Sequence, residues 1–273
     1  MKERIYKVLE CIALLALSTV FLLPFIWMIS TAIKPDNQVM TFPPVLIPKG
    51  ATLKAFAKAW SRAKFPTYFG NTLFITVTVA ILQVLIMIPA AYAFSQKKFK
   101  GSSIFFGMVL AGLMIPPQVT FLPLYIFFSN LKLIDSPVPL IAPWAVSSFG
   151  IFLLTQNFKQ IPKDIIESAR LDMASDLKIM FMIMLPIAKP AMITFILFSF
   201  ITRWNDYFWV LTMTNSDIWR TLSIGVVGLM KEEGSKAWNI IMAGNVMLIA
   251  PILVIYALAS KRIKSAFTYM GIK

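Results

Sequence analysis

The sequence has no histidine and a single cysteine, and charged residues make up only 14% of its 273 residues. Without histidine the chain lacks the usual general base and the commonest metal ligand. One cysteine, Cys11, excludes a disulfide within the chain and a cluster of thiolate metal ligands. The missing histidine and the single cysteine therefore exclude hydrolytic triads and zinc chemistry. In addition, no stretch matches the phosphate-binding pattern G-x-x-x-x-G-K-[ST], so no ATP site is predicted in this chain.

Hydrophobic residues are correspondingly abundant. Soluble domains carry about 25% charged residues and about 45–50% apolar ones, whereas 58% of this chain is hydrophobic and its mean hydropathy is +0.76. So few charges cannot cover a soluble surface, and disorder requires low hydrophobicity. The composition predicts an all-α polytopic membrane protein in which residues 1–273 form one transmembrane domain.

Apolar stretches of membrane-spanning length recur along the chain. A membrane helix needs about 20 mainly apolar residues. Six spans are predicted, at about 11–31, 70–94, 104–128, 138–158, 187–211 and 239–260. An even number of spans puts both termini on one side of the membrane. Prolines occur within these spans, where each is expected to bend its helix.

Basic residues predict the orientation of the spans. They are more numerous in the segment before the first span, the 95–103 and 159–186 loops and the C-terminal tail than in the loops on the other side. The positive-inside rule then places both termini in the cytoplasm. The net charge of +14 is thus mainly loop charge beside membrane lipid headgroups, and no nucleic-acid partner is predicted.

The longest loop on the predicted cytoplasmic side, 159–186, has the pattern of a short amphipathic helix. Pro162 suits the first helical position. Ile165, Ile166, Ala169 and Met173 recur at helical spacing and predict one apolar face.

Polar residues of the same loop predict further contacts. Glu167 and Arg170 are three residues apart and can pair on a neighbouring face. Ser175 is a plausible N-cap of a second short helix, which Leu185 and Pro186 would end.

The loop sequence from Glu167 to Ser175, ESARLDMAS, followed by Leu185-Pro186, resembles the coupling-loop signature of permease subunits of bacterial ABC importers. Within that group the chain resembles the carbohydrate-uptake permeases of the maltose-transporter type. Three further stretches support this narrower resemblance: 42–53, 204–209 and the tail with Lys261-Arg262 and Gly271-Ile272-Lys273. The resemblance covers nearly the whole chain in the expected order.

The resemblance implies a fold and a set of coupling residues. The fold would be that of a type I ABC importer permease, and the loop helix would dock in a groove of a cytoplasmic ATPase subunit. The residues implied in ATPase coupling are Glu167, Ser168, Ala169, Asp172, Met173, Ala174, Leu185 and Pro186. Two positions depart from the family pattern, since Met173 replaces a glycine and Ser168 an alanine. Glycine suits a bend with positive φ, which methionine tolerates poorly.

The resemblance also implies partners and a location. A second homologous permease subunit, two cytoplasmic ATPase subunits and an extracytoplasmic solute-binding protein are expected in a bacterial cytoplasmic (inner) membrane. ATP and magnesium would be bound by the partner ATPase, and no cofactor or metal is expected in this chain. The chain itself would be a non-catalytic subunit that moves a carbohydrate, either a sugar, an oligosaccharide or a polyol, by alternating access.

Arg203 and Asp206 are the charges well inside the fifth apolar stretch, where ionisable groups usually face a partner or a polar cavity. Two interpretations remain open. The two residues form a mutual ion pair, or this segment lines a path for sugar. The candidate path residues are Trp204, Asn205, Asp206 and Trp209. Gln83 in the second span and Asn245 in the sixth are weaker candidates, and for both of them interhelical hydrogen bonding is the favoured alternative.

Two other function classes compete with the importer subunit. A secondary transporter driven by an ion gradient would need several membrane-embedded carboxylates, and the spans offer almost only Asp206. A membrane-embedded enzyme would need a catalytic constellation, and none can be named. The loop helix itself has a simpler interpretation as a polar helix lying at the membrane surface.

Overall fold

The computed structural model describes residues 2–233 and 237–270, with side chains for 6–231 and 237–260, and contains helices without any strand in those ranges. The tail motif at 271–273 lies outside the described residues. The long and medium helices are α1 (Lys2–Ala32), α2 (Lys54–Arg62), α3 (Phe65–Gln96), α4 (Ser102–Met114), α5 (Pro117–Asn130), α7 (Ser148–Lys159), α8 (Lys163–Leu171), α10 (Leu185–Trp204), α12 (Leu222–Glu233) and α13 (Trp238–Met270). The short ones are α6 (Val138–Ile141), α9 (Asp176–Lys178) and α11 (Phe208–Met213), with 3₁₀ turns at Asp36–Gln38 and Ala142–Trp144 and a π-helical segment at Ile179–Met184.

Membrane-spanning helices match the predicted apolar stretches, with one break. Five segments are long and apolar enough to cross a membrane: Tyr6–Ala32, Phe65–Gln96, Val138–Lys159, Asp176–Trp204 and Trp238–Ser260. The sixth is the pair α4 and α5, which are bent by 99° to each other. The all-α polytopic class is therefore confirmed, with six spans when the bent pair is taken as one. The cytoplasmic location of the termini stays a prediction.

The span predicted at 104–128 is bent at its two prolines as expected, but the bend is a full break: α4 ends at Met114 and α5 begins at Pro117. A residue before proline is driven from the α region toward extended conformations. Ile115 precedes Pro116 and has φ −83° and ψ 114°, and Pro116 precedes Pro117 and has ψ 135°. Two consecutive extended residues end α4, and Pro117 then begins α5, where its missing N–H removes no helical hydrogen bond.

The predicted span 138–158 is confirmed as Val138–Lys159, although its helix is interrupted between α6 and α7, where Ser147 caps α7 by accepting a hydrogen bond from the Gly150 N–H at 3.1 Å. One other predicted boundary is wrong. The predicted span 187–211 ends at Trp204, and α11 begins only at Phe208. Helices do run through the prolines inside α1, α3, α10 and α13.

Leu185 and Pro186 do not end the second loop helix as expected. The chain stays helical from α9 through the π-helical segment into α10, where Pro186 lies in the first turn. A proline there is tolerated because the first amides of an α-helix have no intrahelical partner. The fifth span therefore begins within the predicted loop, at Asp176.

One compact unit comprises Met1–Phe69 and Leu222–Pro251, and α2 packs against α12 in it. At its edge the Asp36 carboxylate accepts hydrogen bonds from the Asn239 amide at 2.7 Å and the Lys58 ammonium at 3.3 Å. These two donors hold the pKa of Asp36 below its usual range. Asn239 also donates to the Lys34 carbonyl oxygen at 3.1 Å, which joins the loop after α1 to the start of α13.

The other unit comprises Gly70–Thr221 and Ile252–Lys273, and its core is an apolar cluster built mainly from α3, α7, α8 and α10. Gln83 on α3 accepts a hydrogen bond from the Ser199 hydroxyl at 2.6 Å and donates to the Trp144 carbonyl at 2.8 Å. This confirms the interhelical hydrogen bonding predicted for Gln83. In a membrane such bonds satisfy polar groups that lipid cannot.

Close packing in this cluster predicts a strong position effect for glycine substitution. A Cβ on Gly150 would lie 2.7 Å from the Phe195 ring and 3.0 Å from the Met87 sulfur, whereas a Cβ on Gly107 would meet nothing within 4 Å. Gly150→Ala should lower the midpoint of thermal unfolding in detergent, because overpacking costs about 1–3 kcal/mol. Gly107→Ala, the matched control, should leave it unchanged or raise it, since alanine favours helix. Equal midpoints for the two variants would contradict the packing described.

Candidate functional site

The loop helix α8 has helix-forming signals at both ends. Pro162 precedes it at the N-cap, one position before the predicted start, and α8 runs over Lys163–Leu171. Asp164 lies in the first turn and Arg170 in the last, where a carboxylate and a guanidinium complement the helix dipole. The predicted loop helix is thus present at the predicted place.

The inner face of α8 is anchored in the apolar cluster. Ile166 and Ala169 are 3% and 8% exposed and belong to the cluster that contains Phe158 of α7 and Met184 before α10. Burying the isoleucine side chain contributes about 1.5–3 kcal/mol. The helix is therefore fixed to the transmembrane helices by its own side chains. Ala169, predicted to contact an ATPase, faces this core.

The predicted apolar face is narrower than expected. Ile165 is 42% exposed and Met173 is 94% exposed. Met173 lies beyond the last residue of α8, so the helical spacing that placed it with Ile166 no longer applies. The prediction that all four apolar residues share one face is wrong for these two.

Met173 has the backbone conformation that the family's glycine would suit. Its φ is +55°. The N–H of Met173 donates to the Arg170 carbonyl at 3.0 Å, and the N–H of Ala174 donates to the Ala169 carbonyl at 3.0 Å. These are the two hydrogen bonds of a Schellman motif, which ends a helix with one left-handed residue. The bend is therefore kept, at a conformational cost to methionine of about 1–2 kcal/mol.

The outer face of α8 carries the polar coupling candidates. Glu167, Ser168 and Asp172 are exposed, and the Ser168 hydroxyl donates to the Asp164 carbonyl at 2.7 Å. Glu167 makes no ion pair with any described residue, so the predicted pair with Arg170 is wrong. Arg170 lies near the Tyr92 hydroxyl instead.

Two apolar side chains interrupt this polar surface. Leu171 is 85% exposed and Met173 is 94% exposed. Of the remaining coupling candidates, Ala174 and Leu185 are half-buried against the apolar cluster and Pro186 is exposed. The predicted coupling residues that are exposed beside one another are thus Glu167, Ser168, Asp172 and Met173. Leu171, which was not predicted, is exposed among them.

Hydrogen bonds hold the segment that follows α8 in place. Ser175 caps α9 by accepting a hydrogen bond from the Lys178 N–H at 3.3 Å, as predicted. Asp176 accepts hydrogen bonds from the Tyr92 hydroxyl at 2.6 Å and from Lys97, whose ammonium lies 2.8 and 2.7 Å from the two carboxylate oxygens. Sequence reasoning did not identify Asp176 as a link to α3, because its partners lie about 80 residues earlier.

The fifth span ends in an ion pair. Arg203 Nη1 lies 2.8 Å from Asp206 Oδ2, and the two side chains are 12% and 16% exposed. The Arg203 guanidinium also lies over the Trp144 ring, 3.7 Å from its centroid. Asp206 Oδ1 accepts a hydrogen bond from the Trp209 N–H at 3.3 Å, which bridges the break between α10 and α11. The mutual ion pair, one of the two interpretations, is therefore present.

The same residues line a cavity of about 190 Å³. The Trp209 ring lies 5.4 Å from the Trp144 ring and 5.6 Å from the Phe121 ring, edge to face in both cases. Trp209 Nε1 donates to the Pro139 carbonyl at 2.8 Å, which orients its indole. The cavity is lined by Pro117, Gln118, Phe121, Trp144, Arg203, Asp206, Phe208 and Trp209.

The structure divides the predicted path residues. Asp206 and Trp209 line the cavity, whereas Trp204 is fully buried and does not. The Asn205 amide donates to the Ile201 carbonyl of its own helix at 2.9 Å. The Asn245 amide likewise donates to the Ile241 carbonyl at 3.0 Å, so neither a path contact nor an interhelical bond is seen for it. Trp144 and Phe121 were missed as cavity residues, because they lie on chain segments distant from Asp206, and Arg203 was considered only as its ion-pair partner.

Comparison with known sequences identifies related transport proteins. The sequence profile of the family described as "Binding-protein-dependent transport system inner membrane component" matches residues 84–268. The arabinooligosaccharides transport system permease protein AraQ of Halalkalibacterium halodurans is 30% identical over 264 residues, which cover 96% of this chain and 94% of that protein. The trehalose/maltose transport system permease protein MalG of Thermococcus litoralis is 30% identical over 279 residues, covering 100% and 99%.

A solved structure shares the fold. A chain from a bacterial ABC transporter involved in the import of the acidic polysaccharide alginate matches with a TM-score of 0.83 at 24% identity, covering 96% of this chain and 97% of that one. A chain from an alginate transporter in complex with its pentasaccharide-bound periplasmic protein matches with a TM-score of 0.61 at 17% identity, covering 94% of each chain. The type I importer permease fold is thus confirmed.

The positive φ of Met173 predicts an ordered mutational series. Met173→Gly should slow hydrogen exchange in the last turn of α8 several-fold, because glycine adopts the left-handed conformation without strain. Met173→Asn should have a smaller effect in the same direction, and Met173→Val should speed exchange, since a β-branched residue tolerates positive φ worst. Hydrogen exchange by mass spectrometry measures all three. Glycine and valine variants that exchange alike would contradict the Schellman motif.

The contacts of Asp176 predict a local loss of protection. Asp176→Ala should speed hydrogen exchange in 174–180 by about tenfold, because a hydrogen bond to a charged group contributes about 1.5–3 kcal/mol. Asp172→Ala removes a neighbouring exposed carboxylate and serves as the matched control, with exchange expected to be unchanged. Equal effects of the two substitutions would contradict the role given to the bonds between Asp176 and Tyr92 and Lys97.

Proposed function

Because the chain belongs to the family of binding-protein-dependent transport system inner membrane components, we propose that it is the permease subunit of an ATP-driven carbohydrate importer in the bacterial cytoplasmic membrane. Relatives named for arabinooligosaccharides and for trehalose and maltose, each 30% identical over nearly the whole chain, support a sugar or oligosaccharide as the transported solute. The chain is a multi-pass membrane protein. Its role is to provide a passage, not to catalyse a reaction.

The exposed side of α8 is the surface that carries this proposal. Glu167 and Asp172 offer carboxylates without an ion-pair partner among the described residues, and Leu171 and Met173 offer apolar contact beside them. Exposed apolar side chains rimmed by polar ones are typical of protein interaction sites. A cytoplasmic ATPase subunit, which binds ATP and magnesium, docks here, and two such subunits serve a pair of permeases.

The way α8 is held supports alternating access. Ile166 and Ala169 pack into the same apolar cluster as α3, α7 and α10, and Asp176 fastens the next segment to α3. Because packed cores transmit displacement and do not deform continuously, a shift of α8 moves these helices with it. ATP-driven approach of the two ATPase subunits thereby changes which end of the passage is open.

A solute-binding protein delivers the solute on the opposite side. One of the solved relatives is an alginate transporter in complex with a periplasmic protein. In this chain the loop after α11 is braced, since Asp135 Oδ1 accepts hydrogen bonds from the Asn215 and Ser216 N–H groups at 3.1 and 3.0 Å. The Asn71 amide donates to the carbonyls of Ile218 and Arg220. A preformed loop suits docking of a partner, and the 32–69 loop is a further candidate for contact with it.

The ion-gradient transporter is the second candidate, and the pairing of Asp206 weighs against it. A carboxylate that carries a coupling ion must be free to bind and release it. Asp206 is paired with Arg203 at 2.8 Å. Uptake that survives depletion of ATP but collapses with an ionophore would support this second candidate.

Glu167→Lys tests the coupling surface. It should reduce both sugar uptake and solute-stimulated ATPase activity by at least about tenfold, because it reverses the charge of a side chain that the interface would desolvate. Lys98→Gln, which removes an exposed charge from the 95–103 loop, is the control and should retain both activities. Uptake and ATPase association that persist unchanged in Glu167→Lys would refute the docking assignment.

A further inference from the structure

We propose that the aromatic cavity at the end of α10, defined above by Trp144, Trp209, Phe121, Arg203 and Asp206, binds one ring of a neutral carbohydrate. The inference rests on the proposed function and assigns part of the solute contact to this chain. Its cavity of about 190 Å³ is smaller than pockets for drug-sized ligands, which are roughly 300–1,000 Å³. The cavity therefore accommodates a single ring of a longer solute.

Aromatic side chains supply the walls of this subsite. The Phe121 ring lies 4.9 Å from the Phe208 ring and 5.6 Å from the Trp209 ring. Phe208 is 57% exposed, so its ring is available to a ligand. Carbohydrate-binding sites use aromatic faces against the C–H surfaces of sugars and a few placed polar groups for the hydroxyls, in line with the general make-up of ligand pockets.

Polar groups with unused hydrogen-bonding capacity complete the proposed subsite. Arg203 uses Nη1 for Asp206, and its other N–H groups have no hydrogen-bond partner among the described residues. Arg203 lines the cavity, and a donor that is removed from water without a partner costs about 1–3 kcal/mol. These N–H groups gain from a ligand hydroxyl, which accepts a hydrogen bond as well as donating one.

The ion pair determines which sugars fit. Arg203 and Asp206 together carry no net charge, and both are largely removed from solvent. A neutral ring exchanges hydrogen bonds with both at no electrostatic cost. A uronate ring brings a carboxylate that must lose its hydration, and because Asp206 already neutralises Arg203, no uncompensated positive charge in the cavity offsets that cost. The subsite therefore favours neutral over acidic sugars.

The sharpest test is a substitution that should reverse this preference for neutral over acidic sugars. Asp206→Asn keeps the shape of the side chain but leaves the Arg203 charge without its carboxylate, so the cavity becomes cationic. D-glucose and D-glucuronate are a matched probe pair, since they differ only in the substituent at carbon 5, and L-arabinose serves as a second neutral probe. Binding is measured by quenching of tryptophan fluorescence in the purified complex with its ATPase in nanodiscs, without the solute-binding protein.

The unmodified complex should bind at least one neutral probe saturably, and glucose about tenfold more tightly than glucuronate. Asp206→Asn should reverse the order of glucose and glucuronate. Phe208→Ala, an exposed cavity residue whose loss spares the core, should weaken the neutral sugars several-fold and keep the order. Asn205→Ala, whose amide is bonded to its own helix, is the matched control and should bind as the unmodified complex does.

Three results would overturn the subsite: no saturable binding of either neutral sugar, parallel loss of both members of the probe pair in Asp206→Asn, or an Asn205→Ala effect as large as that of Phe208→Ala. If the ion pair only stabilised the structure, Asp206→Asn would weaken binding of glucose and glucuronate alike. These results leave the importer assignment intact when the complex still couples ATP hydrolysis to uptake. Failure of the chain to associate with an ATPase would instead refute the proposed function.

Discussion

Burial of Ile166 and Ala169 in the apolar cluster is the interaction on which the rest of the account depends. It places one face of a short loop helix in the same core as α3, α7 and α10. The opposite face, with Glu167 and Leu171, is thereby presented to solvent. An amphipathic helix without this anchor would be an independent surface element. With it, a force applied to the exposed face reaches the membrane-spanning helices.

Breaks in the helices occur in two local settings. At Pro116 and Pro117 the sequence cannot continue a helix, and after Trp204 a polar side chain satisfies the freed backbone, since Asp206 accepts a hydrogen bond from the Trp209 N–H. In a membrane such groups must be satisfied by protein. The break after Trp204 also positions the aromatic and charged residues that line the cavity.

Local sequence patterns predicted the elements that depend on neighbouring residues. The apolar stretches, the helix at 163–171 and the Ser175 cap all follow from composition and spacing within a few residues. The 99° bend was not predicted beyond a proline kink, because the angle depends on two consecutive extended residues. The left-handed Met173 was doubted on its residue type, yet two backbone hydrogen bonds hold it there.

Contacts between residues far apart in the chain could not be predicted from the sequence. Trp144 lies nearly 60 residues before Arg203, and nothing in the local pattern of either residue indicates the other. Trp204 and Asn205 were predicted beside Asp206 by adjacency, but helix geometry points neighbouring residues to different sides. One is buried and the other bonds its own helix.

The central claim is that the exposed face of α8 contacts an ATPase. The most direct measurement is site-specific cross-linking in the assembled complex, with Cys11→Ser as background. Leu171→Cys, at an 85% exposed position, should cross-link to the ATPase subunit in a manner that changes with ATP, whereas Ala169→Cys, at a buried position, should not. An ATPase that co-purifies but cross-links to neither position, or equally to both, would contradict the account.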